Sequence, residues 1–100
     1  MITVEWNEIP SSVVIYLEPK LIKELITEGI RRSGSKRQLV KFVLLHSGRS
    51  PDVTFLEKIM NGEKGIVKFR LERLLFFLHI RPEKIIDKII KIRSRRQQKK

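Results

Sequence analysis

Ser35-Lys36-Arg37-Gln38-Leu39-Val40-Lys41-Phe42-Val43 is the stretch on which the fold turns. Ser35 followed by Gln38 three residues on forms a capping box, the mark of a helix start. Leu39, Val40, Phe42 and Val43 fall on the apolar side of that helix, with His46 at its edge and Ser47-Gly48 as its stop. The first turn also carries Lys36 and Arg37, and cations at a helix start oppose the helix dipole. The same end offers unpaired backbone N–H groups and already attracts phosphate. A docked phosphate would remove the conflict, which makes this turn the sharpest functional signal in the chain.

Helices are expected on both sides of it. Upstream, Pro19 suits a first helical position, Leu21, Ile22, Leu25, Ile26 and Ile30 repeat on one face, and Gly34 is the stop. Downstream, Ser50-Pro51-Asp52 is a third start signal, with Leu56, Ile59 and Met60 facing inward before Asn61-Gly62. A fourth helix places Val67, Leu71, Leu74, Leu75 and Leu78 on one stripe. Pro82 opens a fifth, carrying Ile85, Ile86, Ile89 and Ile90. The first 18 residues read differently. Ile2 to Trp6 alternates, Val13 to Leu17 is rich in strand formers, and Asn7 to Ser12 between them has turn chemistry.

The chain has 100 residues and a formal charge of +11, and that charge is unevenly placed. Residues 1–30 carry two basic and five acidic groups, residues 31–50 six basic groups and no acid. Residues 51–87 nearly cancel, and residues 88–100 carry seven basic groups and no acid. Two like-charged blocks repel themselves unless an anion compensates, and nucleic acid is the commonest compensator. Abundant Lys with no Cys and no Ala also fits a protein from a hot environment.

Other classes are disfavoured. Ile, Leu, Val and Phe supply 37 residues, enough for one modest core. The apolar run Leu74 to Leu78 falls far short of the roughly 18 residues of a membrane span. Glu5 and Glu8 stand where a signal peptide would be basic and then apolar, so a cytoplasmic protein is expected. His46 and His79 have no carboxylate at a metal-site spacing, the serines have no base nearby, and no glycine loop fits a phosphate cradle. The reading is of a non-enzyme with no cofactor and no metal. The phenylalanines are expected mainly at helical core positions, which offers no stacking platform for single-stranded RNA.

Residues 19–92 resemble the five-helix DNA-binding domain of the Cro and phage-repressor class of helix-turn-helix regulators. The resemblance rests on Leu21-Ile22-Lys23-Glu24-Leu25, on Ser35 to Val40, on Leu56, Ile59 and Gly62, and on Leu71, Leu74, Leu78 and Ile80. It implies that the third helix enters the major groove while the start of the second and the loop after the third hold phosphates. Carried over by position, Ser35, Lys36, Arg37, Gln38, Lys41, Lys64 and Lys68 would face phosphates. Arg49, Asp52, Val53, Thr54 and Lys58 would face bases. This sequence departs from the class at His46-Ser47-Gly48-Arg49-Ser50-Pro51, several residues longer than the usual tight turn.

The expected fold is therefore mainly α: a five-helix helix-turn-helix domain over residues 19–92, a short N-terminal β-hairpin or extended arm over 1–18, and a basic tail over 93–100. The tail residues Arg93, Arg95, Arg96, Lys99 and Lys100 would add nonspecific affinity for DNA. The expected function is sequence-specific binding of double-stranded DNA in transcription regulation, with a second copy of the chain as a candidate partner. Two alternatives compete. Residues 13–45 are similar to a ribbon-helix-helix repressor, in which strand 13–17 would pair across a dimer and read the groove. An RNA-binding or ribosome-associated protein would share the same charge pattern.

Overall fold

The computed structural model describes residues 5–44 and 54–93. Trp6–Glu8 forms a 3₁₀ turn that leads to strand β1, Val14–Leu17, and then to helix α1, Pro19–Ser33. Helix α2 starts as Lys36–Gln38 and widens into a π-type turn over Leu39–Val43, where the Leu44 N–H reaches back to the Leu39 carbonyl at 2.9 Å. Helix α3 spans Thr54–Met60, the two-residue strand β2 spans Ile66–Val67, and helix α4 spans Lys68–Phe77. Two 3₁₀ turns, Pro82–Lys84 and Ile86–Lys88, precede strand β3, Ile89–Arg93. The chain is α-rich, with a three-stranded antiparallel sheet of order β2-β1-β3.

The signals at Pro19, Gly34 and Ser35 appear where they were read, whereas Val67, expected on the fourth helix, lies in β2, and Ser47-Gly48 and Ser50-Pro51-Asp52 lie outside the described residues. Pro19 stands at the start of α1, and Gly34 ends it in the left-handed region at φ 108°, a conformation that a Cβ would strain. Ser35 caps α2, its Oγ accepting from the Gln38 N–H at 3.1 Å. One core joins these elements: Ile22, Leu25 and Ile26 from α1, Leu39, Val40 and Val43 from α2, Leu56 and Ile59 from α3, and Leu71, Leu74 and Leu75 from α4. Arg70 and Arg73 of α4 close the end of α2, donating from Nε to the Leu44 and Val43 carbonyls at 3.2 and 2.6 Å. The last carbonyls of a helix have no partner within it.

The first and last described elements differ from expectation. The fifth helix is not formed. Pro82 does start a helical turn, but a 3₁₀ one, and Ile89–Arg93 is a strand paired along β1. The spacing of Ile85, Ile86, Ile89 and Ile90 suits a helix face, but β-branched residues fit a pleated sheet better and β1 provides an edge to pair with. Ile90 falls at a register shift between the Tyr16↔Lys91 and Leu17↔Ile89 pairs and stands exposed, whereas Ile85 and Ile89 are buried.

The N-terminal hairpin is corrected as well. Trp6 lies in a 3₁₀ turn, and the neighbours of β1 are β2 and β3. Trp6, Ile9, Val13, Ile15 and Leu17 are buried in the common core, so residues 6–17 are no separate arm. A lone ribbon could not have hidden those side chains, and the sheet does. The position of β1 also removes the ribbon-helix-helix reading. That mode pairs the strand with a second chain, and here Val14 and Ile15 already have neighbours on both sides.

Candidate nucleic-acid interface

The start of α2 and the outer side of α3 lie on one face. The Lys36 ammonium forms an ion pair with the Glu57 carboxylate of α3, 21 residues away, and both groups are about half exposed. Glu57 therefore supplies, from within the chain, a negative charge beside a basic helix start. Arg37 is exposed, with no hydrogen-bond or ion-pair partner among the described residues, and Gln38 is exposed beside it. Lys41, one turn further along, is exposed with its Nζ 5.3 Å from the centre of the Phe42 ring.

On α3, Thr54 and Lys58 are exposed, and Leu56 and Ile59 face the core. The Lys58 carbonyl accepts from the backbone N–H groups of Glu63 and Lys64, at 2.8 and 3.3 Å. This double bond pattern folds the loop after α3 back on the helix and sets Lys64 next to its end. Arg37 at the start of α2, Lys58 on α3 and Lys64 in the loop after it are all exposed.

Lys68 is the exception. It is only 4% exposed, at the first turn of α4, and its Nζ donates to the Ile9 carbonyl at 2.7 Å. Glu72 Oε2 lies 3.6 Å from the same nitrogen, and the Trp6 ring centre 4.9 Å. Glu72 in turn accepts from Trp6 Nε1 at 2.7 Å. Lys68 is thus a buried tie between the N-terminal turn and α4, out of reach of a phosphate. A lysine is hidden in this way only where its charge is paired. The sequence signal was missed because the partners are a backbone carbonyl and a tryptophan about 60 residues away.

The cations upstream are partly spoken for too. Arg31 and Arg32, at the end of α1, both hold Glu28, through Nε bonds of 3.0 and 2.7 Å. Those bonds lower the Glu28 carboxyl to about 2, and the same contact raises the Arg31 guanidinium. Among the basic groups of residues 31–44, Arg37 and Lys41 are the two that no carboxylate holds among the described residues. Arg49, Asp52, Val53, Arg95, Arg96, Lys99 and Lys100 lie outside the described residues, and so do His46 and the connection between α2 and α3.

Arg93 ends β3 and is exposed there. Lys91, absent from the sequence-based candidates, stands two residues before it, and both reach towards the Tyr16 ring, at 5.3 and 5.9 Å from its centre. The alternation Ile90-Lys91-Ile92-Arg93 was the available signal, hidden by the helical reading of that segment.

The phenylalanines also depart from expectation. Phe42, Phe69 and Phe76 are 59, 43 and 84% exposed, and they flank a groove of about 620 Å³ between α2 and α4. They are surface aromatics, and Phe69 and Phe76 share the outer face of α4 at a seven-residue spacing. Exposed apolar clusters of this kind mark contact surfaces. His79, at the groove's end, is exposed and takes φ 61°. Among the described residues no three His, Cys, Asp or Glu side chains gather to hold a metal, and no helix is long and apolar enough to cross a membrane.

No family model matches the chain, and searches of curated proteins and of solved structures found no match.

Proposed function

We propose that the protein binds double-stranded DNA in a sequence-specific way and regulates transcription. In this reading α3 enters the major groove, the start of α2 holds a phosphate through Ser35, Arg37 and Gln38, and the basic C-terminal residues add nonspecific affinity. The observation that carries it is the Lys36–Glu57 contact, because it ties the helix-two start to the outer side of α3. A duplex laid on that face would meet Arg37, Lys58 and Lys64 together. A second copy of the chain belongs to the same proposal, since small readers usually pair to span two half-sites. The exposed phenylalanines of α2 and α4 are the apolar surface such a pair would bury.

Direct competition between duplex DNA and structured RNA tests the reading, run as a salt series. With six to eight phosphates neutralised, log K for DNA falls with log salt at a slope of about −5 to −7. Preference for RNA, or salt-independent binding of duplex, overturns it.

A further inference from the structure

We infer that the outer face of the sheet, Tyr16 with Lys91 and Arg93, grips the phosphodiester backbone of the same duplex that α3 reads, beyond the α3 contact. The inference rests on the DNA-binding reading above and extends it to residues on a different element. Tyr16 pairs with Lys91 and Val14 with Arg93 across β1 and β3, so these four side chains project from the same side of the sheet. Ile15, on the other side, is fully buried. The two cations converge on one ring, Lys91 Nζ at 5.3 Å and the Arg93 guanidinium at 5.9 Å from its centre. A ring that attracts both holds two like charges side by side, in the place where an anion is most favoured.

The loop after α3 connects this patch with the α3 surface. Gly65 runs so close over the sheet that a Cβ on it would lie 2.5 Å from Val14 Cγ1 and 2.9 Å from Tyr16 Cε1. The residue before it is Lys64, whose backbone N–H is bound to the Lys58 carbonyl. Cations therefore follow one another from Lys58 through Lys64 to Lys91 and Arg93, with Glu63 the acid on that loop. Past Arg93 the sequence adds Arg95, Arg96, Lys99 and Lys100 and no acid. An extended polyanion is the occupant this line of charge fits, and a DNA backbone longer than one helix contact provides it.

The test uses the full chain on two duplexes of the same centre, a hairpin stem of about 7 base pairs, roughly 24 Å and so shorter than the 35 Å molecule, and a duplex of about 24 base pairs, with affinities corrected for the number of overlapping sites. The wild type should bind the longer duplex more tightly and with a steeper salt slope. Lys91→Gln with Arg93→Gln should make the slope on the long duplex shallower by about 1.8 and weaken binding about 60-fold at 0.1 M salt. Binding to the short duplex should stay within about twofold, and Arg37→Ala should weaken both lengths alike. Circular dichroism melts confirm that the variants are folded. Equal losses on both lengths, or no loss on either, overturn the sheet contact and leave the α3 reading standing. Tight binding of single strands that Tyr16→Leu abolishes and Tyr16→Phe keeps also overturns it, in favour of base stacking. A wild type that binds neither duplex overturns the α3 reading and the sheet contact together.

Discussion

Gly65→Ala is the substitution whose consequence the geometry defines most sharply. The new methyl carbon would lie 2.5 Å from Val14 Cγ1, 2.8 Å from the Ile15 carbonyl oxygen and 2.9 Å from Tyr16 Cε1. Two of these neighbours are side chains that can turn on the outer face. The third is a main-chain atom of the central strand, and Ile15 pairs with Ile66 on one side and Ile92 on the other. Moving that carbonyl disturbs both ladders. Overpacking of this type costs about 1–3 kcal/mol, and the smaller unfolded-state entropy of alanine returns only about 0.4–1 kcal/mol. A net loss of about 1.3 kcal/mol lowers Tm by roughly 5–10 °C in a chain of this size. Thermal and denaturant unfolding measure it. Adding Val14→Ala removes the nearest contact but not the carbonyl, so the double variant should recover less than half of the loss. A Gly65→Ala protein that melts within about 2 °C of wild type would refute the close crossing of loop and sheet. It would also cut the structural link between Lys64 and the Tyr16 face.

Other perturbations separate charge that is structural from charge that is free. Lys68→Met should cost about 1–3 kcal/mol, because the Ile9 carbonyl loses its buried donor, and should leave the salt slope of DNA binding unchanged. Glu57→Gln breaks a half-exposed ion pair worth about 0–1 kcal/mol and releases Lys36. Duplex affinity should then rise up to about eightfold at 0.1 M salt, with a slope steeper by about 0.9; weaker binding would show that the pair does more by holding the α2 start against α3 than by masking Lys36. Phe76→Ser removes a ring that is 84% exposed, so Tm should hold while self-association in sedimentation falls. The Glu28 carboxyl, held by Arg31 and Arg32, should titrate at about 2 by NMR. Its folded value lies below the unfolded one, so its contribution to stability is present above about pH 4.5 and is lost as pH falls towards 2, and added salt should shrink it.

The parts of this molecule that were readable from sequence are those governed by local rules. Pro19, Gly34, Ser35 and the Leu71-Leu74-Leu75 stripe each act within a turn or two of the chain, and each does in the structure what its type dictates. The misread parts depend on partners far away. Ile89 to Arg93 satisfies a helix pattern and a strand pattern at once, and β1, more than 70 residues earlier, decides between them. Lys68 looks like any surface lysine until Trp6, Ile9 and Glu72 are brought around it. By sequence Phe42 falls on the apolar side of its helix, but the helix turns that position outward, and Phe76, off the Leu71-Leu74-Leu75 stripe, is exposed too. Composition cannot tell which face of α4 is covered.

The same distinction changes what the basic block after α1 means. In sequence, residues 31–50 carry six cations and no acid, and a bound anion is the natural remedy. In the structure part of the remedy is internal: Glu28 holds Arg31 and Arg32, and Glu57 holds Lys36. A cation already paired contributes little to phosphate binding, since it must first give up its carboxylate. Among the described residues, the exposed cations of α2, α3 and the loop after it that no carboxylate holds are Arg37, Lys41, Lys58 and Lys64, with Lys91 and Arg93 across the Gly65 crossing. The pairing has a second effect. Glu57 and Lys36 lock the helix-two start onto α3, so their ion pair positions the free cations even while it subtracts one from their number. Substituting Lys36 itself is therefore a poor probe of phosphate contact, because it loosens α3 at the same time. Arg37→Ala is the cleaner probe, since it leaves the tie intact and removes a charge that no carboxylate among the described residues holds.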